Sequence, residues 1–371
     1  LQLTYDQSKV CYDSFLTYFG KFKNIEDYMR EQKLNSLSER SISLPDFGLD
    51  KNLFDDFSIH PKEMEFEIVE MDQSIWDLYL NMISSHSNMT SIPGRCLRLA
   101  VLEKKSNKWV GFIRLGSPVI NMKPRNELLK GVFSQDKTFA SSFNKSTIMG
   151  FVIVPAQPFG YNYLGGKLLA AICCSHWVRE KLNAKYNMNT CLFETTSLYG
   201  STKQVSQYDG MKPYIRFKGV TDSNFIPMMH GEPYNNLKKY VEDIVGVFVP
   251  EGASSRKMKI INKIISMTKA GLKNTPEYNT FKKLIEDATS LTEQKRYYIS
   301  NYGISNFVDI VRGETNQIIK DKDNYDKFEL DNIIEWWRKK AEKRYETLNN
   351  EGKVRKEIEV WTSNKNIDII R

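Results

Sequence analysis

The stretch from Asn189 to Tyr208 holds the residues best suited to chemistry. Glu194 falls near the end of an apolar run, N-T-C-L-F-E-T-T (189–196), that reads as an interior strand. Ser197, Tyr199 and Tyr208 follow in a polar, hydroxyl-rich loop. A carboxylate at a strand end can serve as a general base, because burial raises its pKa toward neutrality. It can equally be a structural group that accepts backbone or hydroxyl hydrogen bonds. Tyr199 and Tyr208 are candidate acids for a departing thiolate, since a phenol's pKa of ~10 lies closer to a thiol's than a serine hydroxyl's does. Ser197 could hold a substrate, or it could organise the turn through side-chain-to-backbone bonds.

Upstream, Q-P-F-G-Y-N-Y-L-G-G-K-L-L (157–169) is a loop rich in glycine and aromatics that runs straight into a helix. Amides of such a turn at a helix amino end, aided by the helix dipole, form a cradle for a pyrophosphate. Gln157, Gly160, Tyr161, Asn162, Gly165 and Gly166 are the candidate ligands. The alternative is that these glycines only permit a tight turn and close helix-on-strand packing.

These groups need a scaffold, and the flanking pattern supplies one. Residues 65–71 (E-F-E-I-V-E-M) alternate like a half-buried strand, and residues 74–85 place Ile75, Trp76, Leu78, Tyr79 and Met82 at helical spacing. Residues 98–103 and 109–115 flank a polar turn as a hairpin would. The continuous apolar run Ile148 to Pro155 predicts an interior strand that stops at the proline, and the helix beyond the glycine loop is expected to continue to about Leu182. Tyr5 to Leu34 predicts one or two helices, and residues 34–61 an irregular connector. A polar insertion at about 117–147 carries a small helix near 126–133. After Pro250, helices are expected over 255–270, 276–299 and 328–348. The expected fold class is α/β, with a mixed central sheet, flanking helices, N-terminal helices and a C-terminal helical region. The expected division is 1–61, an α/β domain at 62–250, and 251–371.

The 371 residues are too many for one ordinary core, and 41% apolar with 26% charged residues excludes wholesale disorder. No run reaches the ~18 apolar residues of a membrane span, and no signal peptide is evident, so a soluble, cytoplasmic protein is expected. Cys11, Cys96, Cys173, Cys174 and Cys191 show no C-x-x-C, and the four histidines no H-x-x-x-H, so buried thiols and no metal centre are expected. A net charge of +8 is compatible with a polyanionic partner. Arg114, Arg125, Lys203, Lys212 and Arg216, mixed with tyrosines, are candidate nucleic-acid contacts. So are Arg256, Lys257, Lys259 and Lys263, on a basic amphipathic helix within a stretch (251–300) holding ten Lys/Arg against five Asp/Glu. Any one of these cations can also be part of a solvated face.

The order β, α, β-hairpin, β, glycine loop, α, β resembles the core of the GNAT acyltransferases, in which two neighbouring strands part to admit acyl-CoA. The family's Q/R-x-x-G-x-G/A signature is met by Gln157 and Gly160, but Asn162 stands in the last small position. Gly165 with Leu168-Leu169 fits the second half in another register. The strings N-Y-L-G-G-K-L-L (162–169), Trp177, F-E-T-T-S-L-Y-G-S (193–201), Tyr208 and K-G-V-T (218–221) resemble a more particular family. It is the domain of unknown function found in the Druantia anti-phage protein A and in transposase-associated proteins, itself GNAT-like and distantly similar to the DNA-modification protein Mom of phage Mu. The resemblance implies a phage or mobile-element protein acting on DNA, in one form a base-modifying acyltransferase using acetyl-CoA or another acyl-CoA. Glu194 would then deprotonate a base amine, with Tyr199 or Tyr208 near the leaving group. The alternative is a non-enzymatic DNA-binding or host-takeover factor on the same fold.

Overall fold

The computed structural model of the chain describes residues 2–39, 48–86, 94–197, 206–222, 228–253, 256–290, 294–362 and 367. Among them lie the strands β1 (Phe66–Glu70), β2 (Cys96–Glu103), β3 (Lys108–Gly116), β4 (Thr147–Pro155), β5 (Leu192–Ser197), β6 (Arg216–Asp222) and β7 (Gln294–Ser300). The helices before β4 are α1 (Tyr5–Phe19), α2 (Ile25–Glu39), α3 (Gln73–Ile83), α4 (Lys123–Leu128) and α5 (Lys137–Ser146). After β4 come α6 (Phe159–Tyr163), α7 (Gly165–Cys173), α8 (His176–Tyr186), α9 (Gly231–Val245), α10 (Arg256–Gly271), α11 (Pro276–Ser290), α12 (Phe307–Arg312) and α13 (Leu330–Asn350). The α/β class with a mixed central sheet and flanking helices is as expected.

The linear three-part division is an expectation from the sequence. The chain forms two units from interleaved segments, one comprising 1–41, 85–87 and 223–294, the other 42–84, 88–222 and 295–371. The helices after Pro250 are therefore shared between units.

The helical unit is built on aromatic packing. Thr4 caps α1 reciprocally with Gln7, fixing where the helix starts. One face of α1 then places Tyr12 and Phe15 edge-on to Phe281 of α11. Ile260, Ile261, Ile264 and Ile265 bury one face of α10, and Lys259 and Lys263 stay exposed on the other. The basic amphipathic helix is thus present.

The second unit holds the seven-stranded sheet, ordered β1-β2-β3-β4-β5-β7-β6. β1 to β4 pair antiparallel, β4 runs parallel to β5, and β5 is antiparallel to β7. β7 falls at the expected end of the 276–299 helix. Pairing with β5 overrides the local helical preference, and Tyr297 and Ile299 alternate with Arg296 and Tyr298. The helix after the glycine loop is interrupted twice. Leu164 takes the left-handed conformation between α6 and α7, and Ser175 caps α8. α7 lies directly on the sheet: a Cβ at Gly111 of β3 would stand 2.5 Å from the Leu169 Cδ1 atom. Four of the cysteines, Cys11, Cys173, Cys174 and Cys191, are buried thiols. Burial pushes Cys174 and Cys191 up to about 12, which removes them as thiolate nucleophiles. No described helix is long and apolar enough to cross a membrane.

Candidate functional site

The parallel β4–β5 ladder runs from Thr147 opposite Leu192 to Gly150 opposite Thr195 and ends there, while β4 continues to Pro155. A bulge in the β3–β4 register, between Val152 and Gly150, leaves Phe151 unpaired at the point of parting. This is the geometry that would lead a helix amino end up to a gap between strands.

The turn that should line the gap is closed by its own chain. The Gly160 amide donates to the Ala156 carbonyl (2.8 Å) and the Asn162 amide to the Pro158 carbonyl (2.8 Å). Tyr161 donates its amide to the Gln157 Oε1 atom (3.0 Å). The Asn162 side chain is tied to residue 355 at both ends, its Nδ2 donating to the Arg355 carbonyl (2.7 Å) and its Oδ1 accepting from the Arg355 amide (3.0 Å). The guanidinium of Arg355 lies 3.9 Å from the Tyr161 ring centre. Gly165 and Gly166 are buried, and a Cβ on Gly166 would stand 2.2 Å from the Gln207 Oε1 atom. The amides of Gly160, Tyr161 and Asn162 are thus bonded within the chain, and Gly165 and Gly166 are packed closely against neighbouring atoms.

Glu194 is similarly committed. It is fully buried, and its Oε1 atom accepts from Arg125 Nη1 (2.8 Å) while Oε2 accepts from the Tyr297 hydroxyl (2.7 Å). Arg125, also fully buried, donates through Nη2 to the carbonyls of Val119 (2.9 Å) and Ile120 (2.6 Å), and its guanidinium sits 4.7 Å from the Phe143 ring centre. Burial pushes the Glu194 carboxyl up, against the opposing pull of Arg125 and Tyr297. With both oxygens held and no exposure, Glu194 ties β5 to β7 and to the 119–125 segment. The Tyr208 phenol, which should sit near the leaving group, is buried and raised above its ordinary pKa by desolvation. Ser197, half-buried at the end of β5, pairs with Arg296 across the ladder. Tyr199 and Lys203 lie outside the described residues.

The remaining cations separate by unit. In the sheet unit Arg114 is half-buried on β3, Lys212 is exposed and Arg216 starts edge strand β6, where Phe217 and Lys218 are exposed too. In the helical unit Arg256 donates to the carbonyls of Val249 and Pro250, and Lys263 to that of Phe248 (2.7 Å). Lys257 stands 3.0 Å from the His230 Nδ1 atom, while Lys259 is exposed. Burial first, and then Lys257, bring His230 down to about 4. The unfolded chain takes up this proton below about 6.5 and the folded chain only near 4. Stability is thus expected to fall as pH drops through that window. Urea titrations should show a steeper loss between pH 7 and pH 4 for the wild type than for His230→Gln.

Sequence reasoning missed Tyr297, hidden in a stretch read as helix. It also missed the grouping of His60 with Glu342 and Glu346, whose potential ligand atoms lie within 4.8 Å of one another. Lys62 forms an ion pair with Glu342 there.

A mixed sheet with a parallel pair parted at a bulge, flanked by helices and followed by a turn bonded within its own chain, defines a mixed α/β protein. The family described as Druantia protein DruA matches residues 20–211, more than half of the sequence, and the chain belongs to that family. The matched region takes in β1 to β5 and stops before β6 and β7. No curated protein and no solved structure matches the chain.

Proposed function

We propose that this DruA-family chain acts on DNA in the conflict between phages or mobile elements and their hosts, as a non-enzymatic binding factor on a GNAT-like scaffold. One observation carries the choice of binding over acyl transfer. Glu194, the residue best placed by sequence to take a proton, has both oxygens engaged by Arg125 and Tyr297 in a fully buried site. The internally bonded amides of Gly160, Tyr161 and Asn162 support the same choice. DNA as the partner is supported by the net charge of +8 and by the exposed cations Lys212, Lys218 and Lys259. The host cytoplasm is the compartment this reading requires.

The test pairs two measurements on the full chain. DNA affinity is expected to fall steeply as salt rises, because each neutralised phosphate releases counterions. Acetyl-CoA is expected to leave the melting temperature unchanged, since a ligand that does not bind the native state adds no stability. Stabilisation by acetyl-CoA, together with a modified nucleoside in cells expressing the chain that Glu194→Gln abolishes, would reinstate the acyltransferase.

A further inference from the structure

Arg98 on β2 and Arg114 on β3 stand directly opposite each other in the antiparallel ladder. Cross-strand partners share a face of the sheet with Cβ atoms only ~5 Å apart, and like charges there oppose folding. Both residues are half-buried, so water screens the repulsion only in part. Arg95 precedes them and reaches across to the Thr147 carbonyl with its Nη2 atom (3.3 Å). All three Nε atoms are buried and without a hydrogen-bond partner. Among the described residues no carboxylate lies within ion-pair distance of the three. Asp72 and Asp77, from the α3 region, act on Arg98 and Arg114 only through longer-range attraction. Desolvation, with the neighbouring charge of Arg98, depresses the Arg114 pKa.

The side chains are also held in place. The Arg98 guanidinium lies 6.0 Å from the Trp76 ring centre, and Trp76 is fully buried with its Nε1 donating to the Leu99 carbonyl (3.1 Å). Arg114 lies 5.9 Å from the ring centre of Phe151, the residue extruded by the β4 bulge. A bulge that re-aims an aromatic against an arginine is a device found next to binding sites, and a planar guanidinium set on a ring presents its donors in a fixed fork.

We propose that Arg98 and Arg114, supported by Arg95, form an oxyanion site for a phosphate group, supplied by the backbone of the nucleic acid. The ligand would relieve the repulsion between facing guanidinium groups and accept from their Nη groups. Only the source of the phosphate rests on the DNA reading above; the site itself rests on the cross-strand pair.

The test uses the full-length wild type and the double variant Arg98→Gln/Arg114→Gln, with a single-stranded oligonucleotide and inorganic phosphate as separate probes. The wild type is expected to bind the oligonucleotide, and the variant to bind it with a salt slope lower by about one for each phosphate that the arginines no longer engage. In anion-free buffer, Arg98→Gln alone is expected to raise the melting temperature, because it removes the repulsion, and to reduce stabilisation by phosphate. If the wild type binds the oligonucleotide and the variant does so equally with the same slope, the site is overturned and the DNA reading stands. If the wild type ignores the oligonucleotide but is stabilised by phosphate in an arginine-dependent way, the DNA reading fails and the site stands with a free phosphate as its ligand. If Arg98→Gln leaves phosphate stabilisation intact, or lowers stability without anion, the site is overturned.

Discussion

Glu194→Ala is expected to lower the unfolding free energy of the sheet unit by about 3–5 kcal/mol, because it leaves Arg125 buried without its counter-charge. The geometry puts this substitution at the severe end. Both partners are fully buried, and the carboxylate also accepts from the Tyr297 hydroxyl (2.7 Å). Removing it leaves the Arg125 Nη1 donor and the Tyr297 hydroxyl together without their acceptor. Urea unfolding followed by tryptophan fluorescence measures the loss, since the sheet unit contains Trp76, Trp109 and Trp337. The paired change Arg125→Met/Glu194→Leu is expected to recover most of it, because an apolar replacement of both partners is often neutral or better. This outcome separates the two assignments of Glu194. A catalytic base would give an alanine variant with near-native stability and lost chemistry, whereas a buried lock gives a variant that unfolds early.

The same residue shows where sequence reading succeeds and where it stops. The position of Glu194 on an interior strand, after a helix and beside a parallel neighbour, follows from the apolar runs at 148–155 and 189–196. β1 to β3, α1, α3, α10 and α13 are legible from a period of two or 3.6 bounded by caps or turns, and β4 and β5 from continuous apolar runs. Its partners are not legible. Arg125 lies 69 residues away in an insertion and Tyr297 103 residues away in a strand. No local pattern links them. β7 offers only a few alternating residues after a long helical stretch, and its strand character comes from the open edge of β5. α5 escapes a periodicity reading because its apolar spacing rests on Phe139 and Phe143 within a run of serine and lysine. The two-unit organisation is hidden for a related reason: the helical unit joins segments from both sides of the sheet's sequence. The glycine loop is the opposite case. Its location is readable, but the hold on the Asn162 side chain comes from Arg355, 193 residues away in a segment that carries no motif.

Trp337→Ala is expected to cost about 3–5 kcal/mol, the range for deleting a large buried aromatic. Trp337 is fully buried on α13, edge-on to Phe66 (5.1 Å) and stacked on Phe159 (6.3 Å), and its Nε1 donates to the Tyr163 carbonyl (2.8 Å). Its loss therefore removes core volume and an anchor that fixes α13 to α6, at the turn where a donor would have to bind. Trp337→Phe keeps much of the ring but strands the Tyr163 carbonyl, and should cost about 1–3 kcal/mol. The pair thus divides packing from anchoring in one denaturation experiment. Hydrogen exchange adds the functional reading. If α13 holds the turn closed, the amides of Tyr161 and Asn162 should exchange faster in the alanine variant while those of β4 remain protected. An alanine variant that gains stabilisation by acetyl-CoA would mean that α13 masks a competent cradle. One that exchanges faster and still ignores the coenzyme would mean that the bonds from Gln157, Pro158 and Ala156 already consume the donors, as their distances imply.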